Sequence, residues 1–272
     1  MSWAGGSFGQ RGHCVLAPNA NMMTLDGTNT WVLREPGARR SVVVDPGPEI
    51  LAHLDAVAER AGEVAAVLLT HGHADHAEAA RSFAERMGCG VRALDPRHRL
   101  GSQGLADGDV VEVDGLEVRV VGTPGHTSDS LSFVLPAERA VLTGDTVLGR
   151  GTTVVAHPDG RLGAYLGSLH RLHALAEAQE VTAVWPGHGP VVDDALGVLD
   201  RYLAHREERL EQVRAALRML TGGRSGQPGP SEPPGDLARA VVETVYADVD
   251  PVLWGAAELS VRAQIDYLRH DG

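Results

Sequence analysis

Between Leu68 and Glu78 the chain reads Leu-Leu-Thr-His-Gly-His-Ala-Asp-His-Ala-Glu. An apolar run ends at Thr70, and His71, His73, Asp75 and His76 then follow within six residues. His71 and His73, two apart on a strand-to-helix turn, can point the same way, while Asp75 and His76 sit on the next turn and face a neighbouring position. That geometry suits two adjacent metal ions. Three more candidates stand just past later β-runs: His126 in Gly122-Thr-Pro-Gly-His-Thr-Ser-Asp129, Asp145 in Leu142-Thr-Gly-Asp-Thr146 and His188 in Trp185-Pro-Gly-His-Gly-Pro190. Each is bordered by Gly or Pro, residues that let the backbone turn sharply and bring a ligand close.

Imidazole nitrogen and carboxylate oxygen are zinc ligands, and a catalytic site keeps one position open for water. Two such ions about 3.5–4 Å apart lower the pKa of a bound water from 15.7 to about 7. The nucleophile expected from this set is therefore a metal-bridging hydroxide acting on a carbonyl or phosphoryl centre, with no Ser or Cys nucleophile required. The bland alternative has the same groups satisfying one another without an ion. Two carboxylates about 4 Å apart would then repel by about 4 kcal/mol at an effective dielectric near 20, which a cation relieves.

The remaining histidines are less informative. His13, His53, His98, His170, His173 and His270 are scattered and read as solvated or capping residues, and His157 either lines the pocket or serves its own loop. His205, Arg206 and Arg209 read as one polar face of a long helix. Thr127 and Ser128 suit a turn as well as a ligand contact.

The elements that must position the seven candidates are legible as β-branched runs alternating with Ala-rich helical patterns up to about residue 220. Strands are expected at 42–44, 66–69, 91–94, 110–113, 116–121, 131–135, 140–142 and 183–185, and helices near 49–61, 76–88, 161–178 and 194–220. Sheets covered by helices follow. Residues 221–235, TGGRSGQPGPSEPPG, read as a linker. Beyond it, 237–246 and 254–268 carry helical periodicity, a module too small for a core of its own, expected to dock on the main domain or on a partner chain as in a homodimer.

The whole chain has 272 residues with 43% hydrophobic and 22% charged, enough to bury a core. No apolar run approaches the roughly 20 residues of a membrane span, and the Gly-rich start lacks the pattern of a secretory signal. With only Cys14 and Cys89, well separated, a reducing, cytoplasmic setting is expected. All 24 basic residues are Arg, which suggests a GC-rich, bacterial coding sequence. The net charge of −12 makes the chain a poor generic binder of polyanions.

His71-Gly-His73-Ala-Asp75-His76 resembles the H-x-H-x-D-H motif of the metallo-β-lactamase-fold hydrolases, and His126, Asp145 and His188 match the later ligand motifs of that family in order. The resemblance covers roughly residues 14–220. It implies an α/β (α+β) αββα sandwich, with residues 1–220 as catalytic domain. One zinc would be held by His71, His73 and His126 and a second by Asp75, His76 and His188, with Asp145 bridging and Asp75 also catalytic. Asp45, in Val43-Val-Asp-Pro-Gly47, matches a further motif and would stand behind the ligands. Manganese or iron would fit the same two sites. Met23–Leu33, Tyr165–Leu169, His205–Leu210 and the tail look like the subgroup that includes the lactamase-β-like endoribonuclease, in which residues 236–272 would form a small winged-helix-like module.

Within that family, a secreted antibiotic-degrading lactamase is disfavoured, because no export signal is evident and Asp145 stands where those enzymes commonly carry Cys. Three readings remain. The first is cleavage of single-stranded RNA, suggested by the subgroup and opposed by the charge. The second is hydrolysis of a small ester or thioester in the manner of glyoxalase II. The third is a non-catalytic, metal-stabilised scaffold, against which the open ligand set weighs.

Overall fold

The computed structural model describes residues 3–222, 234–247 and 249–270. Six strands form one sheet in the order β1 (Gly6–Phe8), β2 (Gly12–Leu16), β3 (Asn29–Leu33), β4 (Arg40–Val44), β5 (Glu63–Leu68), β6 (Gly90–Arg92). The second sheet runs β11 (Ala183–Pro186), β10 (Ala140–Gly144), β9 (Leu131–Leu135), β8 (Leu116–Gly122), β7 (Val110–Val113). The β4–β5, β5–β6 and β10–β11 pairs are parallel and the others antiparallel.

Alternation along the central strands explains the layering, because successive side chains leave opposite faces. Val42, Val44, Ala66 and Leu68 meet Phe133, Leu142 and Trp185 between the sheets. Val43, Val67 and Leu69 face outward, under α1 (Leu51–Ala61) and α3 (Ala80–Met87). The second sheet turns Val121, Val134, Val141 and Val184 toward α4 (Leu162–Ala178) and α5 (Ala195–Leu220). Strands covered on both faces show near-continuous apolar runs, which is why they stand out in the sequence. This is the expected αββα sandwich.

Differences from the sequence-based expectations have local causes. Strands β1, β2 and β3 were not expected. The helix expected at 76–88 is divided into α2 (Ala74–Ala77) and α3, because the chain bends there to bond the 45–47 loop, Ala79 N to Gly47 O at 3.0 Å and Gly47 N to His76 O at 3.1 Å. Residues 223–233 of the expected linker lie outside the described residues. Beyond them, α6 (Pro234–Val245), a short 3-10 turn (Pro251–Leu253) and α7 (Trp254–His270) include no strand among the described residues, so the helical part of the expected tail module is found and a β wing is not. Val213, Ala216 and Leu217 of α5 pack with Val241, Val242 and Val261, so these helices share a core with the end of α5. No described helix is long and apolar enough to cross a membrane.

Candidate metal centre

The carboxyl ends of β4, β5, β8, β10 and β11 converge on one edge of the sandwich, and the loops beyond them carry Asp45, the 71–76 run, His126, Asp145 and His188. Backbone bonds tie those loops together: Leu131 N to Thr70 O, Gly187 N to Gly144 O and Asn29 N to Gly187 O, each at 2.8 Å. Gly187 is required by crowding, since a Cβ there would stand 2.7 Å from Asp145 Oδ1 and 2.8 Å from His76 Cε1. Gly144 takes φ +49 with Thr70 at its back, so a side chain is excluded on both counts.

All seven sequence candidates come together. His71 Nε2 and His126 Nε2 each lie 3.0 Å from His73 Nδ1. His188 Nε2 lies 3.2 Å from His76 Nε2 and 3.1 Å from Asp75 Oδ2. Asp145 stands between the two groups: Oδ1 is 3.4 Å from both His76 Nε2 and His188 Nε2, and Oδ2 is 3.7 Å from His126 Nε2. Ligand atoms about 2.0–2.1 Å from a tetrahedral metal are about 3.4 Å apart, so separations of 3.0–3.7 Å suit donors gathered around metal ions, with one carboxylate between the two groups. Asp145 Oδ1 is buried without a hydrogen bond, as an oxygen reserved for a cation would be.

The outward nitrogens of four rings are occupied, which leaves their inward nitrogens free to ligate. His126 Nδ1 bonds Val154 O at 2.8 Å, His188 Nδ1 bonds Gly27 O at 3.1 Å and His76 Nδ1 bonds Asp45 Oδ2 at 2.9 Å. His71 Nδ1 bonds Thr70 Oγ1 at 3.0 Å, and that hydroxyl donates onward to Asp45 Oδ2 at 2.6 Å. Asp45 therefore orients His76 directly and His71 through Thr70. It also accepts from Thr70 N at 2.8 Å and adopts φ +51, a left-handed conformation uncommon outside glycine that these bonds hold in place.

Electrostatics follow from burial against charge. Burial lowers the pKa of His71 well below that of free imidazole and also lowers His73. Burial opposes protonation of His188 as well, yet Asp145 and Asp75 raise its pKa to about 9. The same contest at His76 ends well above the ordinary value because of Asp145 and Asp45. Asp145, disfavoured as an anion by burial, is still held well below the usual carboxylate range by His188 and His76. Beside His76 and His188 protons thus gather where a cation would sit, and metal binding would displace them, whereas His71 and His73 resist protonation.

Two side chains overturn the sequence reading. His53, expected to be solvated or to cap a helix, is 3% exposed and bonds Thr30 Oγ1 at 2.9 Å behind the Asp45 loop, with burial lowering its pKa to about 4. Arg206, expected on a polar helix face, is 8% exposed. His98 lies against Gly72 and, with Asp95 and Asp129, forms a further half-buried group of potential ligands; Asp95 there is already held by Arg97 at 2.6 and 2.8 Å. His157 bonds Leu259 O of α7 through its backbone at 3.4 Å, and Thr127 closes its own turn onto Ser130 at 2.7 Å.

The sequence reading missed Thr70 and Asn29. Asn29 Nδ2 donates to Pro186 O at 2.9 Å and Gly189 O at 2.8 Å, fixing the loop that carries His188. The available signal was a pair of polar residues, Asn29 and Thr30, opening an otherwise apolar run.

The family model described as "Metallo-beta-lactamase superfamily" matches residues 23–188. An atrochrysone carboxyl ACP thioesterase, AgnL7, of Paecilomyces divaricatus is 35% identical over 210 residues, covering 75% of this chain and 63% of that protein. A beta-lactamase-like protein 2 homolog of Caenorhabditis elegans is 32% identical over 222 residues, covering 75% of this chain and 70% of its own. The chain spans a little under two thirds of the length of several such fungal relatives, at 63–64%. In fold it is similar to a beta-lactamase domain protein from Burkholderia ambifaria, with a TM-score of 0.79 and 22% identity over 99% of this chain and 89% of that one. A family match across the whole ligand-bearing region, joined to the fold and the converged donors, means that the chain belongs to the metallo-beta-lactamase superfamily.

Proposed function

We propose that the protein is a hydrolase carrying two zinc ions, with a thioester as substrate. The observation that carries this reading is the convergence of seven nitrogen and oxygen donors into two sets that share Asp145. His71, His73 and His126 would hold one ion and Asp75, His76 and His188 the other. An all-imidazole and carboxylate donor set favours zinc and accepts manganese or iron. Bound there, the ions would polarise the substrate carbonyl and make water acidic enough to react at neutral pH.

The chain's own residues supply the rest. Asp45 and the carbonyls of Gly27 and Val154 hold ring protons on the outer nitrogens, so the inner ones ligate without a tautomer change. Asp75 is the carboxylate able to pass a proton to solvent: its side chain is 30% exposed against 12% for Asp145. Although burial opposes ionisation of Asp75, the bond from His188 keeps its pKa below the ordinary value, so it stands as an anion available to a cation near neutral pH. Water would then divide the thioester into a carboxylate and a thiol.

Thioester is favoured over RNA on two grounds. Two fungal relatives, at 35% and 36% identity, are named atrochrysone carboxyl ACP thioesterases. The net charge of −12 without a single Lys opposes attraction of a phosphate backbone. The test is a turnover assay of zinc-replete protein on an acyl-carrier-protein thioester, a single-stranded RNA and a β-lactam, with His71→Ala as control. Saturable thioester hydrolysis that disappears in His71→Ala is expected. RNA cleavage that weakens with salt, alongside an inert thioester, would overturn the substrate assignment, and inertness toward all three would overturn the enzyme reading.

A further inference from the structure

Arg206 is a cation buried in α5 with no carboxylate partner among the described residues. Its guanidinium lies over the Tyr165 ring, 5.0 Å from the centroid, one amino group donates to Thr153 O, and Nε is buried without a partner. Burying a charge in this way is unfavourable, and an apolar side chain of similar length is often as stable or more so. Packing alone therefore does not account for arginine at this position.

What Arg206 grips does. Thr153 Oγ1 donates to Asp145 O, and the next carbonyl, Val154 O, accepts from His126 Nδ1 at 2.8 Å. The same loop is pinned by Tyr165 Oη, which donates to Thr146 O at 2.6 Å, and by Leu148 N, which donates to Tyr202 Oη at 2.8 Å. Helices α4 and α5 thus hold the 145–154 segment at three points, and Arg206 holds the one nearest the carbonyl that orients His126. A planar guanidinium can stack on a ring and donate in its own plane at once, which an ammonium cannot.

We infer that Arg206 is a positioning residue for the metal centre: by fixing the Thr153–Val154 backbone it sets the orientation of His126 and the placement of Asp145. The inference rests on the reading that this centre binds metal.

The test is titration of the full chain with Co2+ in competition with a chelator, followed by visible absorption, beside melting of the metal-free protein. Arg206→Met is expected to lower Co2+ affinity about 10-fold, the low end of what loss of a partner bonded directly to a ligand costs, because Arg206 acts through the Thr153–Val154 backbone. Its metal-free melting midpoint should stay level or rise. Arg209→Met, which removes a cation of the same helix stacked on Tyr246 at 4.8 Å, should leave affinity unchanged. A lowered metal-free midpoint with unaltered affinity would mean that Arg206 serves only the fold and would overturn the inference. If Arg206→Met does not fold, Arg206→Gln decides in its place: its shorter amide falls short of Thr153 O, so wild-type affinity would be contradictory. Wild-type protein that takes up no Co2+ would instead overturn the metal reading itself.

Discussion

Replacing Asp145 by Asn is expected to lower hydrolytic turnover by about a thousandfold or more while leaving the far-ultraviolet circular dichroism unchanged. The carboxylate faces both groups of ligands, with Oδ1 toward His76 and His188 and Oδ2 toward His126. The amide keeps the shape but turns one oxygen into a donor that opposes a cation and cannot serve both sides. Removing a single preorganised electrostatic contact at a reacting centre costs about 10²–10³ in rate. Here the change also weakens two ion sites, so the upper end or beyond is expected. Steady-state assay of the purified variant checks it. Retained turnover would remove Asp145 from the centre, and a fall in melting midpoint with no activity in either protein would favour the scaffold reading.

Stripping the metal with a chelator should lower the melting midpoint by about 8–16 °C. A ligand present at a thousand times its Kd, and bound only by the folded state, stabilises by about 4 kcal/mol. In a domain of this size each kcal/mol moves the midpoint by about 2–4 °C. The direction also follows from the donors. Without an ion, the inward nitrogens of His71 and His126 crowd that of His73 at 3.0 Å, and burial lowers the pKa of His71 and His73, so protons do not readily replace the cation. Differential scanning calorimetry before and after dialysis, with zinc added back, measures the shift. An unchanged midpoint would contradict tight binding at this centre.

The candidate donors were legible in the sequence because the chemistry narrows the choice of residue: only a few side chains bind a borderline cation, and here His126, Asp145 and His188 stand on Gly- or Pro-bordered loops past apolar runs, while the other four crowd the turn and short helix after Thr70. The central strands were legible too, since Val42–Val44 and Ala66–Leu69 are covered on both faces. Strand β3 was harder to see because its opening residues are spent on the centre: Asn29 holds the His188 loop, and Thr30 bonds Asp45 O at 2.7 Å. Polar side chains in a five-residue strand hide its period.

His53 and Arg206 were misread for a related reason. A polar residue in a helix pattern reads as a solvated face unless its partner is known. Thr30 is 23 positions from His53, and Thr153 is 53 from Arg206. The bend between α2 and α3 likewise depends on Gly47, a neighbour supplied by the fold. In each case the decisive contact joins remote segments and leaves no local signature.

The most direct measurement is anomalous diffraction at the zinc edge from crystals grown with zinc. Two peaks per chain are expected, one within reach of His71, His73 and His126, the other within reach of Asp75, His76 and His188, with Asp145 between them. An absence of peaks there, or a single peak at the Asp95, His98 and Asp129 group instead, would contradict the two-metal centre.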